Sequence, residues 1–291
     1  MNDRKKVVII GANFAGLSCA MNFSSQYAVT VIDSSAYFEF LPNIHELLSG
    51  VKSTGLLRLP RARILQRLGH EFIQDTVSAI DAEGGYVRTA SGENFAFDAC
   101  VVAVGGVNNT YGLQGAEDFA LPFKSVDDCA RIRERLEKLA GAGEGMSLVV
   151  VGGGLEGVEA LGEILRAYSH IPDLTVHLVE GSKTLLPGGA AALSREILRK
   201  CQPYPVTCHL GDRVKAVTKT RVRLESGKSL KSDLTLWTGG AAPSPLLYES
   251  GLSFSADTWA AVEPSLQSQV FDNVFVIGDA AGLPTSVSKQ A

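Results

Sequence analysis

Two stretches of the chain are shaped to hold a phosphate: VVIIGANFAGLSCA at residues 7–20 and LVVVGGGLEGVEAL at residues 148–161. In each, a short apolar run meets a glycine-rich turn and helix-forming sequence follows. The chemistry of such a turn is specific. Its first glycine permits a tight bend, its second lets a pyrophosphate approach the backbone, and its third lets helix and strand pack closely. The helix N-terminus adds N–H groups and about half a positive charge. The second stretch fills all three places with Gly152, Gly154 and Gly157. The first keeps Gly11 and Gly16 but has Asn13 in the middle. Asparagine tolerates positive φ better than most residues, so the turn is expected to survive, with the side chain crowding the pyrophosphate or hydrogen-bonding to it.

Acids complete the pattern. A carboxylate at the end of the following strand accepts hydrogen bonds from ribose hydroxyls and repels a 2′-phosphate. Asp33 closes the first such strand and Glu180 the second. No arginine follows Glu180 in GSKTLLP, which favours NADH over NADPH. Near the end, VFVIGDA sets Asp279 after Gly278, at the carboxyl edge of a sheet, where ligands of open α/β folds gather. Glu159 and Glu163 follow the second turn four residues apart and therefore share a helix face.

The elements that must position these groups are legible around them. Val7–Ile10 reads as a buried parallel strand, Leu17 to Ser25 as a helix, and Ala28–Ile32 as a second strand. Tyr86–Thr89 and Ala99–Val104 are further strands. Residues 107–123 read as a linker punctuated by Gly112, Gly115 and Pro122. An amphipathic helix is expected over Val126–Leu139, and the second strand–turn–helix–strand unit runs from Leu148 to Glu180. Residues 205–236 read as hairpins.

Bulk properties narrow the class. The chain has 291 residues, about two domains, with 45% apolar and 20% charged residues as in ordinary globular proteins. A net charge of -4 leaves no basic footprint for nucleic acid, and no apolar run is long enough to span a bilayer. The five cysteines are scattered without a CxxC, which points to a reducing, cytoplasmic compartment and to neither zinc nor a disulfide framework.

Taken in order, these motifs resemble the FAD-dependent pyridine nucleotide-disulfide oxidoreductase family, and within it the type II NADH dehydrogenases and sulfide:quinone reductases. VVIIGANFAGLSCA resembles the FAD motif, VVVGGGLEGVEALGEI the pyridine-nucleotide motif, and VFVIGDAAGLP the second FAD motif. DACVVAVGG and LTLWTGGAAP resemble the two crossovers between domains. The resemblance implies an α/β fold of two Rossmann-like, three-layer dinucleotide-binding domains, one inserted in the other. Residues 1–110 and 240–291 would form a discontinuous FAD-binding domain and 111–239 the NADH-binding domain.

By the same resemblance, FAD would be held by Gly11, Asn13, Phe14, Ala15, Gly16, Asp33, Pro42, Gly105, Gly278 and Asp279. NADH would be held by Gly152, Gly154, Gly157 and Glu180. Glu159, with Glu163 beside it, would act near the nicotinamide and flavin. FEFLPNIHELLSG resembles the proline-led helix beside the isoalloxazine, with Pro42 and Glu46 matching and His45 expected only to pack. Hydride would pass from NADH to the flavin and electrons on to a quinone or similar acceptor. The family's C-terminal domain, used for dimerisation, acceptor binding and peripheral attachment to the inner face of a membrane, would be absent, the sequence stopping at SVSKQA where a helix would begin.

Two enzymatic rivals and one non-enzymatic rival stand beside this reading. A sulfide:quinone-type reductase would need a reactive cysteine, and only Cys129 is a candidate. A ferredoxin-type reductase shares the motifs. A nucleotide-binding sensor without turnover would draw on Asn13 and the short C-terminus.

Overall fold

A computed structural model describes residues 4–283; the expected helix start at SVSKQA lies outside them. The chain forms two compact units. The first takes in the chain up to Glu39, Arg58–Val107 and the chain from Ala242 onward; the second takes in Phe40–Leu57 and Asn108–Ala241.

The first unit is built on β1 (Lys5–Ile10), β2 (Tyr27–Asp33), β3 (Glu71–Gln74), β4 (Ala99–Val102) and the edge strand Val274–Val276. All run parallel, in the order Val274–Val276, β4, β1, β2, β3. Val7 to Ile10 are at most 3% exposed, which explains their unbroken apolar run: a parallel strand is covered on both faces. Helix α1 (Phe14–Met21) follows β1. It begins inside the expected turn and is shorter than expected, ending at Met21.

The second unit repeats the plan with β5 (Ala120–Pro122), β6 (Met146–Val151), β7 (Leu174–Glu180), β8 (Val206–Leu210) and β9 (Leu234–Trp237). These are again parallel, ordered β5, β9, β6, β7, β8. Helix α2 (Val126–Ala142) starts where the Ser125 hydroxyl accepts from the Asp128 N–H at 3.1 Å. It turns Val126, Cys129, Ile132 and Leu136 inward and stops at Gly143, whose φ is +71°. Helix α3 (Leu155–Tyr168) follows β6. In each unit a three-stranded antiparallel sheet, Val77 to Ala96 or Val214 to Lys231, precedes the last-inserted inner strand.

Three expectations change. Val206–Leu210 is not hairpin material but a parallel strand paired along β7 from Val176 to Glu180. The linker contains β5, three residues paired with β9 and ending in Pro122, which a sheet edge tolerates. Phe40–Leu57 clusters with the second unit rather than the first, because Ile44, Leu47, Leu48 and Leu57 join the core formed by Ile132 and Leu136 of α2 with Leu161 and Ile164 of α3.

Strands β7 and β8 carry a histidine pair, with His209 Nε2 3.2 Å from His177 Nδ1. Burial lowers both pKa values. His209 lowers that of His177 further, while Lys228 lowers and Asp212 raises that of His209. A folded-state value below the unfolded one means that the unfolded chain binds more protons below about pH 6.5. Stability is therefore full above that pH and is lost as pH falls through the folded values. Thermal melts followed by circular dichroism should show a falling Tm between about pH 7 and pH 5, with a shallower fall in His177→Gln. An unchanged slope in that variant would remove the pair as the cause.

Candidate functional site

The two glycine turns share one geometry. Gly11 N–H donates to the Ile32 carbonyl at 2.8 Å, and Gly152 N–H donates to the Val179 carbonyl at 2.8 Å. Gly152 has φ +108° and its counterpart Gly11 +88°, values at which a side chain is strained. The third glycine of each motif presses on the first. A Cβ at Gly157 would stand 1.9 Å from the Gly152 oxygen, and one at Gly16 would stand 1.9 Å from the Gly11 oxygen. Around Gly154, in contrast, a Cβ would meet no heavy atom within 4 Å. Close packing below and open space above are what a dinucleotide pyrophosphate needs.

Asn13 stands where Gly154 stands in the second turn, with φ -93° and ψ -146°. Positive φ is thus not what the position demands, contrary to the sequence reading. The side-chain oxygen accepts from the Glu39 N–H at 3.2 Å, so the carboxamide ties the turn to the strand Tyr37–Glu39. Phe14 meets Phe38 edge-on with ring centroids 5.0 Å apart. Ala15 lies against Gly278: a Cβ at Gly278 would be 2.8 Å from that of Ala15. The structure thereby brings Gly278 and the exposed Asp279 to the first turn of α1. Gly105 follows β4 at the same carboxyl edge, where Ala103 N–H donates to the Ile10 carbonyl at 2.7 Å.

Both acids brace the turns that precede them. Asp33 accepts from the Ala12 N–H at 2.7 Å and the Ser35 N–H at 2.9 Å. Glu180 accepts from the Gly153 N–H at 2.7 Å and the Ser182 N–H at 2.7 Å. Each carboxylate therefore fixes the glycine turn beside it and the loop after its own strand. This double duty was not legible in the motif. Arg61, which the sequence reading passed over, is bonded to Asp33 and to the Ala12 carbonyl.

In the second unit, Pro42 opens the 3-10 turn Leu41–Leu47, which packs on α2 and α3. Asn43 donates to Glu46 at 2.7 Å. Glu159 and Glu163 both turn toward this segment: Glu159 Oε2 lies 3.5 Å from His45 Nδ1, and Glu163 accepts from the Ser49 hydroxyl. His45 thus has a polar partner, where only packing was expected. Burial raises the Glu159 carboxyl above the usual carboxylate range, His45 pulls it back, and Glu156 raises it further; Glu156 is itself paired with Lys124 at 2.7 Å. Glu163 is 9% exposed and also accepts from Arg166 at 3.3 Å.

Cys129, the one thiol weighed for sulfide chemistry, is fully buried in the core of the second unit. Burial, with Cys201 adding to it, pushes the Cys208 thiol up to about 11. Among the described residues no group of three or more His, Cys, Asp or Glu side chains could hold a metal ion, and no helix is long and apolar enough to cross a membrane.

Comparison with known proteins gives the same picture from outside the chain. The model of the pyridine nucleotide-disulphide oxidoreductase family matches residues 5–290. Demethylphylloquinone reductase NdbB of Synechocystis is 27% identical over 296 residues, covering 96% of this chain and 72% of its own length. A type II NADH:quinone oxidoreductase of Haemophilus influenzae is 25% identical over 335 residues, covering 98% of this chain and 75% of its own. Among solved structures, NDH2 from Plasmodium falciparum in complex with NADH superposes with a TM-score of 0.86 at 22% identity. The match covers 96% of this chain but 64% of that one. The sulfide:quinone oxidoreductase of Aquifex aeolicus superposes at 0.85 with 21% identity, over 96% of this chain and 69% of that one. At these identities the structural matches speak for the fold alone.

Proposed function

Because the chain belongs to the pyridine nucleotide-disulphide oxidoreductase family, we propose that it is an FAD-dependent enzyme that oxidises NADH and passes the electrons to a quinone. The observation that carries this reading is the pair of glycine turns, each braced by a carboxylate at the end of the next strand. A protein that binds a single nucleotide has no use for the second. The quinone follows from the relatives, which are named as quinone reductases.

FAD, when bound, supplies the ring that accepts hydride and hands on electrons; the chain supplies everything that places it. The first unit is the FAD unit in this reading. Its turn from Gly11 to Gly16 and the N-terminus of α1 hold the pyrophosphate, Asp33 the ribose, and Gly105, Gly278 and Asp279 the carboxyl-edge contacts. The residues fit the group, for Gly278 closes on α1 and leaves no side chain there. In the second unit Gly152, Gly154 and Gly157 hold the pyrophosphate of NADH. Glu180 accepts from its ribose and rejects a 2′-phosphate by charge. Pro42 lies on the segment that this reading sets beside the flavin ring.

Glu159, at its contact with His45, would orient the reacting end of the nicotinamide. Glu163, bound to Ser49 and Arg166, would keep that segment seated on α3. Glu159→Gln is expected to slow flavin reduction by NADH about 10-fold, equivalent to ~1.4 kcal/mol of barrier, with NADH affinity little changed. A loss of affinity with an unchanged limiting rate would assign Glu159 to binding instead. Peripheral contact with a membrane is part of the proposal, since a lipid-soluble acceptor must be met there.

The test is the visible spectrum of the purified chain after reconstitution with FAD, repeated under argon with NADH and, separately, with sulfide. Flavin bands that bleach with NADH carry the reading. Bleaching by sulfide alone would replace it with the sulfide chemistry, and nucleotide affinity without bleaching would replace it with a sensor.

A further inference from the structure

Arg61 is 4% exposed, and three acceptors surround its guanidinium. Nε donates to the Ala12 carbonyl at 2.8 Å, and Nη1 donates to Asp33 Oδ1 at 2.7 Å and to the Ser35 carbonyl at 2.6 Å. Its backbone N–H donates to the Ala36 carbonyl at 2.9 Å. The acceptors come from the glycine turn, the end of β2 and the loop beyond it. One side chain therefore joins the two parts of the first motif, the pyrophosphate turn and the ribose acid. Only arginine presents donors in a fixed planar fork that reaches such divergent acceptors at once. Away from water these charge-assisted bonds are stronger than they would be on the surface.

The second motif supplies a control inside the same chain. Glu180 accepts the same two kinds of backbone N–H bond as Asp33, yet among the described residues no lysine or arginine bonds to it. Arg213 only lays its stem beside Gly181, where a Cβ would stand 3.0 Å from Arg213 Cγ. The two sites are alike in helix, acid and the first and third glycines, and apart from Asn13 and its bond from Glu39 the turns match. They differ in the clamp.

We propose that Arg61 is a positioning residue that makes the first site a resident one, holding turn and acid as one prebuilt cradle, while the unclamped second site exchanges its nucleotide. The inference rests on the reading that FAD occupies the first unit and NADH the second. A cradle ordered during folding leaves less ordering to be done on binding. Opening it to let a ligand leave requires breaking buried bonds to a charge, so release is slow. A hydride-passing enzyme needs this asymmetry, with one dinucleotide kept through many cycles and the other released in each.

The experiment compares wild type, Arg61→Met and Arg61→Lys, each reconstituted with FAD and checked for fold by near-ultraviolet circular dichroism. FAD release is followed by the recovery of free-flavin fluorescence on dilution, and NAD⁺ binding by calorimetry. Arg61→Met should release FAD about 10- to 100-fold faster, the range expected for losing hydrogen bonds to a charged group, with NAD⁺ affinity within about 2-fold of wild type. Arg61→Lys, which restores the charge but not the fork, should fall between. Release of FAD by Arg61→Met at the wild-type rate overturns the proposal, as does an equal loss at both sites. Should Arg61→Met fail to fold, Arg61→Lys decides: faster FAD release supports the clamp and a wild-type rate overturns it. Wild-type protein that binds NAD⁺ but no FAD would instead overturn the functional reading, and the clamp with it.

Discussion

The Gly157→Ala variant is expected to lose NADH-driven bleaching of the flavin by on the order of 10²-fold, the cost of misplacing a reactant by about an ångström, while keeping its FAD. The added Cβ would stand 1.9 Å from the Gly152 oxygen and 2.8 Å from Thr238 Oγ1. Neither atom can withdraw cheaply. The Gly152 carbonyl belongs to the turn, and Thr238 Oγ1 donates to the Val151 carbonyl at 2.8 Å. The start of α3 must therefore lift from β6, carrying with it the amides that would face the pyrophosphate in the proposed complex and straining the Gly153–Glu180 bond. FAD retention should be unaffected, because the equivalent contact in the first unit, Gly16 against Gly11, is untouched. Stopped-flow reduction under argon reads the effect. A rate within about 3-fold of wild type would mean that the second turn does not hold the hydride donor. Gly16→Ala is the mirror experiment and should empty the first unit of FAD.

Glu180→Lys carries the second large effect, a change of coenzyme. The carboxylate accepts from Gly153 and Ser182 and, in the proposed complex, from the ribose. Its replacement by a cation removes all three hydrogen bonds and supplies an attraction for a 2′-phosphate. NADH should weaken about 100-fold, taking ~1.5–3 kcal/mol for each hydrogen bond to a charged group and allowing for partial compensation. NADPH should weaken much less, so the preference reverses. Because the turn itself depends on Glu180, a control is needed that keeps an acceptor without the charge. Glu180→Gln should reduce the discrimination while retaining most of the NADH affinity. Titration of both nucleotides against the three proteins checks this. An unchanged preference in Glu180→Lys would detach Glu180 from the ribose altogether.

Much of this arrangement could be read from the chain because it is written in local spacing. Gly152, Gly154 and Gly157 between a run of valines and an amphipathic helix admit few structures, and Glu180 at the end of the next run fixes the unit. The same holds for Gly11, Gly16 and Asp33. What could not be read depends on distant partners. Arg61 follows Pro60 in a stretch rich in arginine, and nothing near it signals that one of these cations will be buried against Ala12, Asp33 and Ser35. His45 and Glu159 lie far apart in sequence and meet only because LPNIHELL packs on α3. VTCHL reads as hairpin material because a five-residue strand has too few positions to show whether one face or both are covered. Asn13 reads as needing the backbone freedom of the glycine it replaces, whereas at φ -93° the turn needs only a residue without a clash.

The placement of Phe40–Leu57 governs the order in which the protein can be made. Counted along the chain, these residues are synthesised long before the segments α2 and α3 whose apolar faces they cover. The chain passes from one unit to the other at Glu39, Leu57, Val107 and Ala241. As the polypeptide leaves the ribosome, Ile44, Leu47 and Leu48 must wait in an unfinished state for partners such as Ile132 and Leu161. Contacts of such long sequence separation slow folding and leave apolar surface exposed meanwhile. A fragment cut to residues 108–241 would carry Gly152, Gly154, Gly157 and Glu180 and still aggregate, because one wall of its core is encoded upstream.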